Sequence, residues 1–258
     1  MIFYKRKLAT YNLTVFDLRS KEGHCYMWDE TVSKKGSCEI ASCLWLWLDN
    51  LPATVEKVTV YSDSCSGQNK NVNMLTMMLV AVNVLPIKLI DHKFLECGHT
   101  QMEVDSMHAT IERASHSAEI YVPRDWVTIA SIAKKEGKAY GVRTMRQEDF
   151  TDFKIVTAKL IQNKSKRDSG ERLYWMQCKW FQYRKGSSTV KVKMALNDDA
   201  FLSLCTGTTV SDAILFDSNK ARKTMTQMYK SPIPISTAKY NDFKFLCKTQ
   251  IFTNSMQI

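Results

Sequence analysis

Apolar and polar positions alternate with period two from Leu8 to Leu18, where Leu13, Val15 and Asp17 follow one another at every second residue. This spacing predicts a strand, and His24 to Asp29 reads as its hairpin partner around Lys21-Glu22-Gly23. The period then lengthens. After the Gly36-Ser37 break, Ile40, Leu44, Trp47 and Leu48 recur at helical spacing, which predicts a helix over Cys38 to Leu48. Val55 to Tyr61 carries the β-branched and aromatic content of a short buried strand. Met74 to Leu85 is a continuous apolar run read as a helix, and Ile87 to Leu95 follows Pro86 as another strand. A helix through Asp105 completes an order of β, β, α, β, α, β, α.

Beyond Tyr121 the texture changes. Pro123 opens a helix over Trp126 to Lys135, and Glu148 to Gln162 reads as a second, with Phe153, Val156, Leu160 and Ile161 on its apolar side. Asn163 to Arg172 is a polar loop containing NKSKRD. Leu173 to Lys185 and Thr189 to Leu196 form a hairpin around Gly186-Ser187-Ser188, with Lys191 and Lys193 alternating against Val190, Val192 and Met194. Its Trp175, Trp180 and Tyr183 are suited either to stacking on bases or to a core, and aromatic strand residues are more often core. Ser236 to Ile251 reads as a final helix after Pro232 and Pro234.

Two polar islands interrupt the apolar pattern of the first half: YSDSCSGQNKN from Tyr61 to Asn71, and GHTQMEVDSMHATIE from Gly98 to Glu112. Asp63 falls just past a strand end. Asp105, His108 and Glu112 fall within a sector of about 60° on one helix at 100° per residue. An acid at a strand end joined by acids on a helix face is a common way to hold a divalent cation. Asp105 and Glu112 are two turns apart, about 10 Å along the axis, so only one of them would join Asp63 on a single ion. Each residue also has a plainer reading: Asp63 as a turn cap, the histidines as core or surface residues, the helix acids as a solvated face.

Charge sharpens the division between the halves. The chain has 258 residues and a net charge of +10; residues up to Ile120 carry −2 and the remainder +12. A basic half beside an acidic pocket suits a nucleic-acid enzyme, because lysines and arginines neutralise phosphates while carboxylates hold cations. Lys164, Arg167, Lys191 and Lys193 are the basic positions expected to contact DNA. The composition divides the chain into 1–120, a core, and 121–258, a basic α+β extension packed on it. No apolar stretch spans a bilayer, since Leu75 to Ile90 is interrupted by Asn83, Pro86 and Lys88. Leu8 to Phe16 is too polar for a signal-peptide core. Eight singly spaced cysteines, without a CxxC pair, read as buried free thiols in an intracellular protein.

YSDSCSGQNKN, KFLECGHTQMEVDSMHATIE, VPRDWVTI and PIPISTAKYNDFKFL together resemble a family of transposon-derived domains similar to DDE-type transposases, over nearly the whole chain. The resemblance implies a ribonuclease H-like α/β fold, a mixed sheet with flanking helices. It also implies Asp63 as the second acid of a catalytic triad and Asp105 or Glu112 as the third. Magnesium or manganese would be held by Asp63 and Asp105, with Gln68, Asn69, His99 and His108 supporting them. DNA is the implied partner, in the nucleus, and a homo-oligomer is left open.

The amino terminus departs from the family pattern. Only two strands precede the first helix, so the first strand and its Asp are expected to be missing, with Asp17 a poor substitute. Two-metal phosphoryl chemistry depends on the acid that bridges both ions, so the expectation is an impaired transposase-like domain that retains nucleic-acid binding. Two alternatives stand beside it: a metal-dependent phosphoesterase using Asp63, Asn69, His99 and His108, and a protein-interaction module without catalysis.

Overall fold

A computed structural model describes residues 7–96, 102–163, 165–167, 169–206 and 209–248. The chain is a mixed α/β protein that divides into two units. One comprises residues 1–35, 102–147 and 229–258; the other comprises 36–101 and 148–228. The compositional boundary at Ile120 lies inside the first of these. Among the described residues, no helix is long and apolar enough to cross a membrane.

In the first unit, β1 (Thr10–Asp17) and β2 (Glu22–Asp29) pair antiparallel from Thr10 opposite Asp29 to Asp17 opposite Glu22. The turn falls at residues 18–21, earlier than expected. Asp17 Oδ1 accepts from the Arg19 and Ser20 backbone N–H groups, and Lys21 has a φ of 60°. Asp17 is thereby engaged as a turn residue. α3 (Glu103–Ser115) and α4 (Pro123–Ile132) cover one side of the sheet. Met107, Ile111, Ile129 and Ala130 from these helices bury Cys25 and Met27. Packing is close at Gly23, where a Cβ would fall 2.4 Å from Met107 Cε and 2.9 Å from Tyr140 Cδ1. β5 (Gly141–Thr144) adds in parallel to β2. α8 (Thr237–Lys248) is tied back through Lys239, whose ammonium meets Glu30.

The second unit is built around α2 (Val72–Val84), buried on nearly every side. A helix apolar all round must be covered all round. α1 (Ser37–Asp49) and α5 (Phe153–Leu160) pack along it, as do α6 (Thr209–Leu215) and α7 (Ser218–Thr224), and it also meets β4 (Leu89–Phe94) and β6 (Trp180–Arg184). Its buried polar groups find partners: Asn73 bonds Ser37 at 2.8 Å, and Thr76 and Thr157 share a bond of 2.8 Å. The sheet runs in the order β3 (Lys57–Ser62), β4, β6, β7 (Thr189–Lys193), β8 (Leu202–Cys205). β3 and β4 are parallel across α2, and the rest are antiparallel. The β6–β7 turn uses Gly186 at φ 75°, a left-handed conformation that suits glycine, and the Gly186 N–H donates to Asn83 Oδ1 at 2.8 Å.

The succession hairpin, helix, strand, helix, strand, helix is as expected. The hydrogen bonding differs from a single mixed sheet, because the described strands form two. The hairpin is completed by β5, and β3–β4 by β6, β7 and β8. Strands from the basic half therefore take part in both sheets.

Candidate nucleic-acid interface

The first polar island is a tightly bonded turn between β3 and α2. Asp63 Oδ1 accepts from Cys65 N–H at 3.0 Å and from the Asn69 amide at 2.8 Å. Cys65 carbonyl accepts from Gln68, Asn69 and Lys70 N–H groups. Asn71 caps α2 by accepting from Met74 N–H at 2.9 Å, while its amide donates to Gln68 carbonyl at 3.0 Å. Buried Lys70 donates to Cys178 carbonyl and lies 4.9 Å from the centre of the Phe94 ring.

The second island divides. His99 lies outside the described residues. Asp105 Oδ2 accepts from Met102 N–H at 2.9 Å, tying the first turn of α3. His108 Nε2 is bonded to Thr14 Oγ1 at 3.1 Å, and Glu112 is exposed. The helix instead points Met107 and Ile111 into the core. Asp63, Gln68 and Asn69 are thus brought together in the second unit, whereas Asp105, His108 and Glu112 belong to the first. The bonded oxygens of Asp63 and Asp105 serve N–H donors, and among the described residues no group of three His, Cys, Asp or Glu side chains gathers to hold a metal.

The β3–β8 sheet carries a second constellation. Its pleat sends Val58, Ile90, His92, Phe94, Phe181 and Tyr183 to the core. The intervening residues Lys57, Thr59 and Tyr61 are exposed, and Lys93, Trp180, Lys191 and Lys193 are half-buried on the opposite face. Register aligns Tyr61 with Lys93, Lys93 with Trp180, and Trp180 with Lys193. The row alternates aromatic and cation across four strands and ends on Phe201. Lys93 Nζ lies 5.8 Å from the Tyr61 ring centre and 4.0 Å from that of Trp180; Lys193 Nζ lies 5.1 Å from Trp180 and 4.7 Å from Phe201. Each such contact is worth about 0.5–1 kcal/mol at an exposed site.

A buried acid anchors the row. Asp91, 3% exposed, accepts on Oδ1 from Trp180 Nε1 and from the Gln182 amide, each at 2.8 Å, and Lys57 stands 3.9 Å from its other oxygen. Gln182 accepts in turn from Arg184 Nε at 2.9 Å. Trp180 is therefore fixed against the sheet. Lys191 Nζ donates to Ser203 Oγ at 2.6 Å and Lys193 Nζ to the Asp198 carbonyl, so the hydrogen bonds of both ammonium groups go to neutral oxygens. Arg167, by contrast, forms an ion pair with Glu171, while its backbone bridges to Leu204 on β8. Lys164 lies outside the described residues.

A family model matches the chain. Its description is "Domain of unknown function (DUF7869)", and it covers residues 17–195. The chain belongs to the DUF7869 family. No curated protein and no solved structure matches it. The DUF7869 match takes in Asp63 and its turn, Asp91, and the row from Tyr61 to Lys193, stopping short of Phe201.

The sequence pointed to Lys191 and Lys193 but not to Tyr61, Asp91, Lys93 or Phe201 as parts of one surface. Asp91 did leave a signal, as a lone acid inside the apolar strand LIDHKF. Of the aromatic residues weighed for stacking, Trp180 faces outward, whereas Tyr183 is buried and its hydroxyl pKa is pushed up by desolvation. Among the described cysteines, Cys25, Cys38, Cys43 and Cys178 are buried free thiols, while Cys65 and Cys247 are exposed. Burial pushes the Cys178 pKa up to about 11.

Proposed function

We propose that the chain is a nucleic-acid-binding domain of transposon-derived, DDE-transposase-like kind, and that it binds DNA through the outer face of its five-stranded sheet. The observation that carries this reading is the unbroken row Tyr61–Lys93–Trp180–Lys193–Phe201, with Lys191 beside it. Cations lie on one side of a sheet whose other side packs the core, and the buried acid among them, Asp91, is satisfied by hydrogen bonds. The parallel β3–α2–β4 unit preceded by a hairpin and a helix supports a ribonuclease H-like ancestry. Binding in this reading needs no metal and stands apart from strand cleavage.

The test is salt dependence. With Lys93, Lys191 and Lys193 neutralising about three phosphates, log affinity for a labelled DNA bearing both duplex and single-stranded parts should fall against log salt with a slope of about −2 to −3. The double variant Lys191→Glu, Lys193→Glu should flatten that slope. Affinity that does not change between about 50 and 200 mM salt would overturn the proposal.

A further inference from the structure

We infer that the row Tyr61–Lys93–Trp180–Lys193–Phe201 is a binding path for single-stranded nucleic acid, read through the faces of its bases. The inference rests on the nucleic-acid reading above and adds the form of the ligand. Five positions across strands spaced about 4.8 Å apart give a path of about 19 Å, suited to about four nucleotides, the lower end of site sizes for single-strand binders.

Two features select a single strand over a duplex. Trp180 lies between Lys93 and Lys193 and meets Phe201 edge-to-face with ring centres 5.1 Å apart, while Tyr61 ends the row 44% exposed; Trp180 and Phe201 are half-buried. Base faces reach such a surface only when they are unstacked from their neighbours, whereas a duplex presents its backbone and base edges and keeps the base faces stacked inside. The lysines also have a use in both states. Without ligand they rest over the rings, with Lys93 Nζ 4.0 Å from the Trp180 ring centre. A base arriving on a ring replaces a cation–π contact with a stack, and the displaced ammonium is one side-chain swing from the phosphate of the same nucleotide. The exchange is favourable because a base–aromatic stack is stronger than an exposed cation–π contact. Trp180 needs no ordering on binding, since its indole N–H is already held by Asp91 at 2.8 Å.

Binding of fluorescein-labelled dT12, rU12 and a 12-base-pair DNA duplex, followed by anisotropy at low salt, tests the inference. At least one single strand should bind fivefold or more tightly than the duplex, and the ratio of dT12 to rU12 names the sugar preferred. Tyr61→Ala should weaken binding of the preferred strand at least fivefold and move duplex binding less than twofold. Trp180→Leu should do the same, and because Tyr61 is exposed, its variant keeps the test valid if the Trp180 variant does not fold. Duplex binding equal to or tighter than both strands, or single-strand binding unchanged in Tyr61→Ala, would overturn the single-strand path while leaving DNA binding in place. Failure of all three probes to bind would overturn the nucleic-acid reading itself.

Discussion

Asp91 and His92 are neighbours on β4 and face opposite ways. His92, on the core face, is 1% exposed, stacks on Phe94 with ring centres 4.2 Å apart and shares a 2.8 Å hydrogen bond with Ser62 Oγ. Burial and nearby Lys70 push its pKa down to about 3, so it is neutral. Asp91, on the outer face, is buried by the very side chains it organises: Trp180, Gln182 and the reach of Lys57. One pleat thus separates a face that packs the core from the face proposed for contact. Changes on the first should cost folding, and changes on the second should cost binding.

The largest effect belongs to the core face. Phe94 is 2% exposed, touches His92 and meets Phe181 edge-to-face at 5.5 Å. Phe94→Ala should destabilise the protein by about 3–5 kcal/mol, read from denaturant midpoints, because the cavity lies between a sheet and a central helix that cannot collapse into it. A cost near zero would mean that this face is not the core.

The same comparison shows what the sequence could reveal. Alternation in Val190-Lys191-Val192-Lys193 made the two faces of β7 legible, because one set of positions is apolar and the other charged. In Trp180-Phe181-Gln182-Tyr183-Arg184 both sets contain aromatic residues, so period two shows that Trp180 and Tyr183 differ without showing which is buried. Asp91 finds its donors 89 and 91 residues away, a proximity that no local pattern contains. The missed strands β5 and β8 have four residues each, too few for a period to emerge. Asp63, Asp105 and Glu112 sit at the local positions the pattern indicated, past a strand end and on one helix, but a shared helix face carries no information about a distant turn, and the helix and the turn belong to different units.

His92 gives the core face a pH signature of intermediate size. An unfolded histidine titrates near 6.5 and this one near 3, so between those values the unfolded chain binds a proton that the folded chain does not. Stability from this group is complete above about pH 6.5 and declines as pH falls, by about 2 kcal/mol at pH 5. The sign is opposite to that of a histidine gaining an acidic partner. Thermal denaturation between pH 7 and pH 5 should show the decline, and His92→Leu should reduce it. Ser62 Oγ stays satisfied in that variant because it also lies 3.1 Å from the Asp63 carbonyl. An identical pH slope in both proteins would assign the titration elsewhere.

The smallest change in stability is expected at Asp91, where the two faces part most clearly. Asp91→Ala strands the Trp180 and Gln182 donors, but both lie on the solvent side of the sheet and can be hydrated, so the cost should be about 1–2 kcal/mol, below that of Phe94→Ala. Its effects on binding should oppose one another. Losing a negative charge 3.9 Å from Lys57, on the face that carries the lysines, should strengthen the salt-dependent attraction shared by all nucleic acids, while freeing Trp180 should weaken stacking, which only single strands use. Duplex affinity should therefore hold or rise while single-strand affinity falls. Asp91→Asn removes the charge but keeps an oxygen to receive the indole N–H, so it should retain single-strand affinity. If Asn and Ala behave alike on single strands, the acid acts through its charge and the anchoring of Trp180 is not its role. If Ala instead destabilises as much as Phe94→Ala, the outer face is as structural as the inner one, and the division between Asp91 and His92 does not hold.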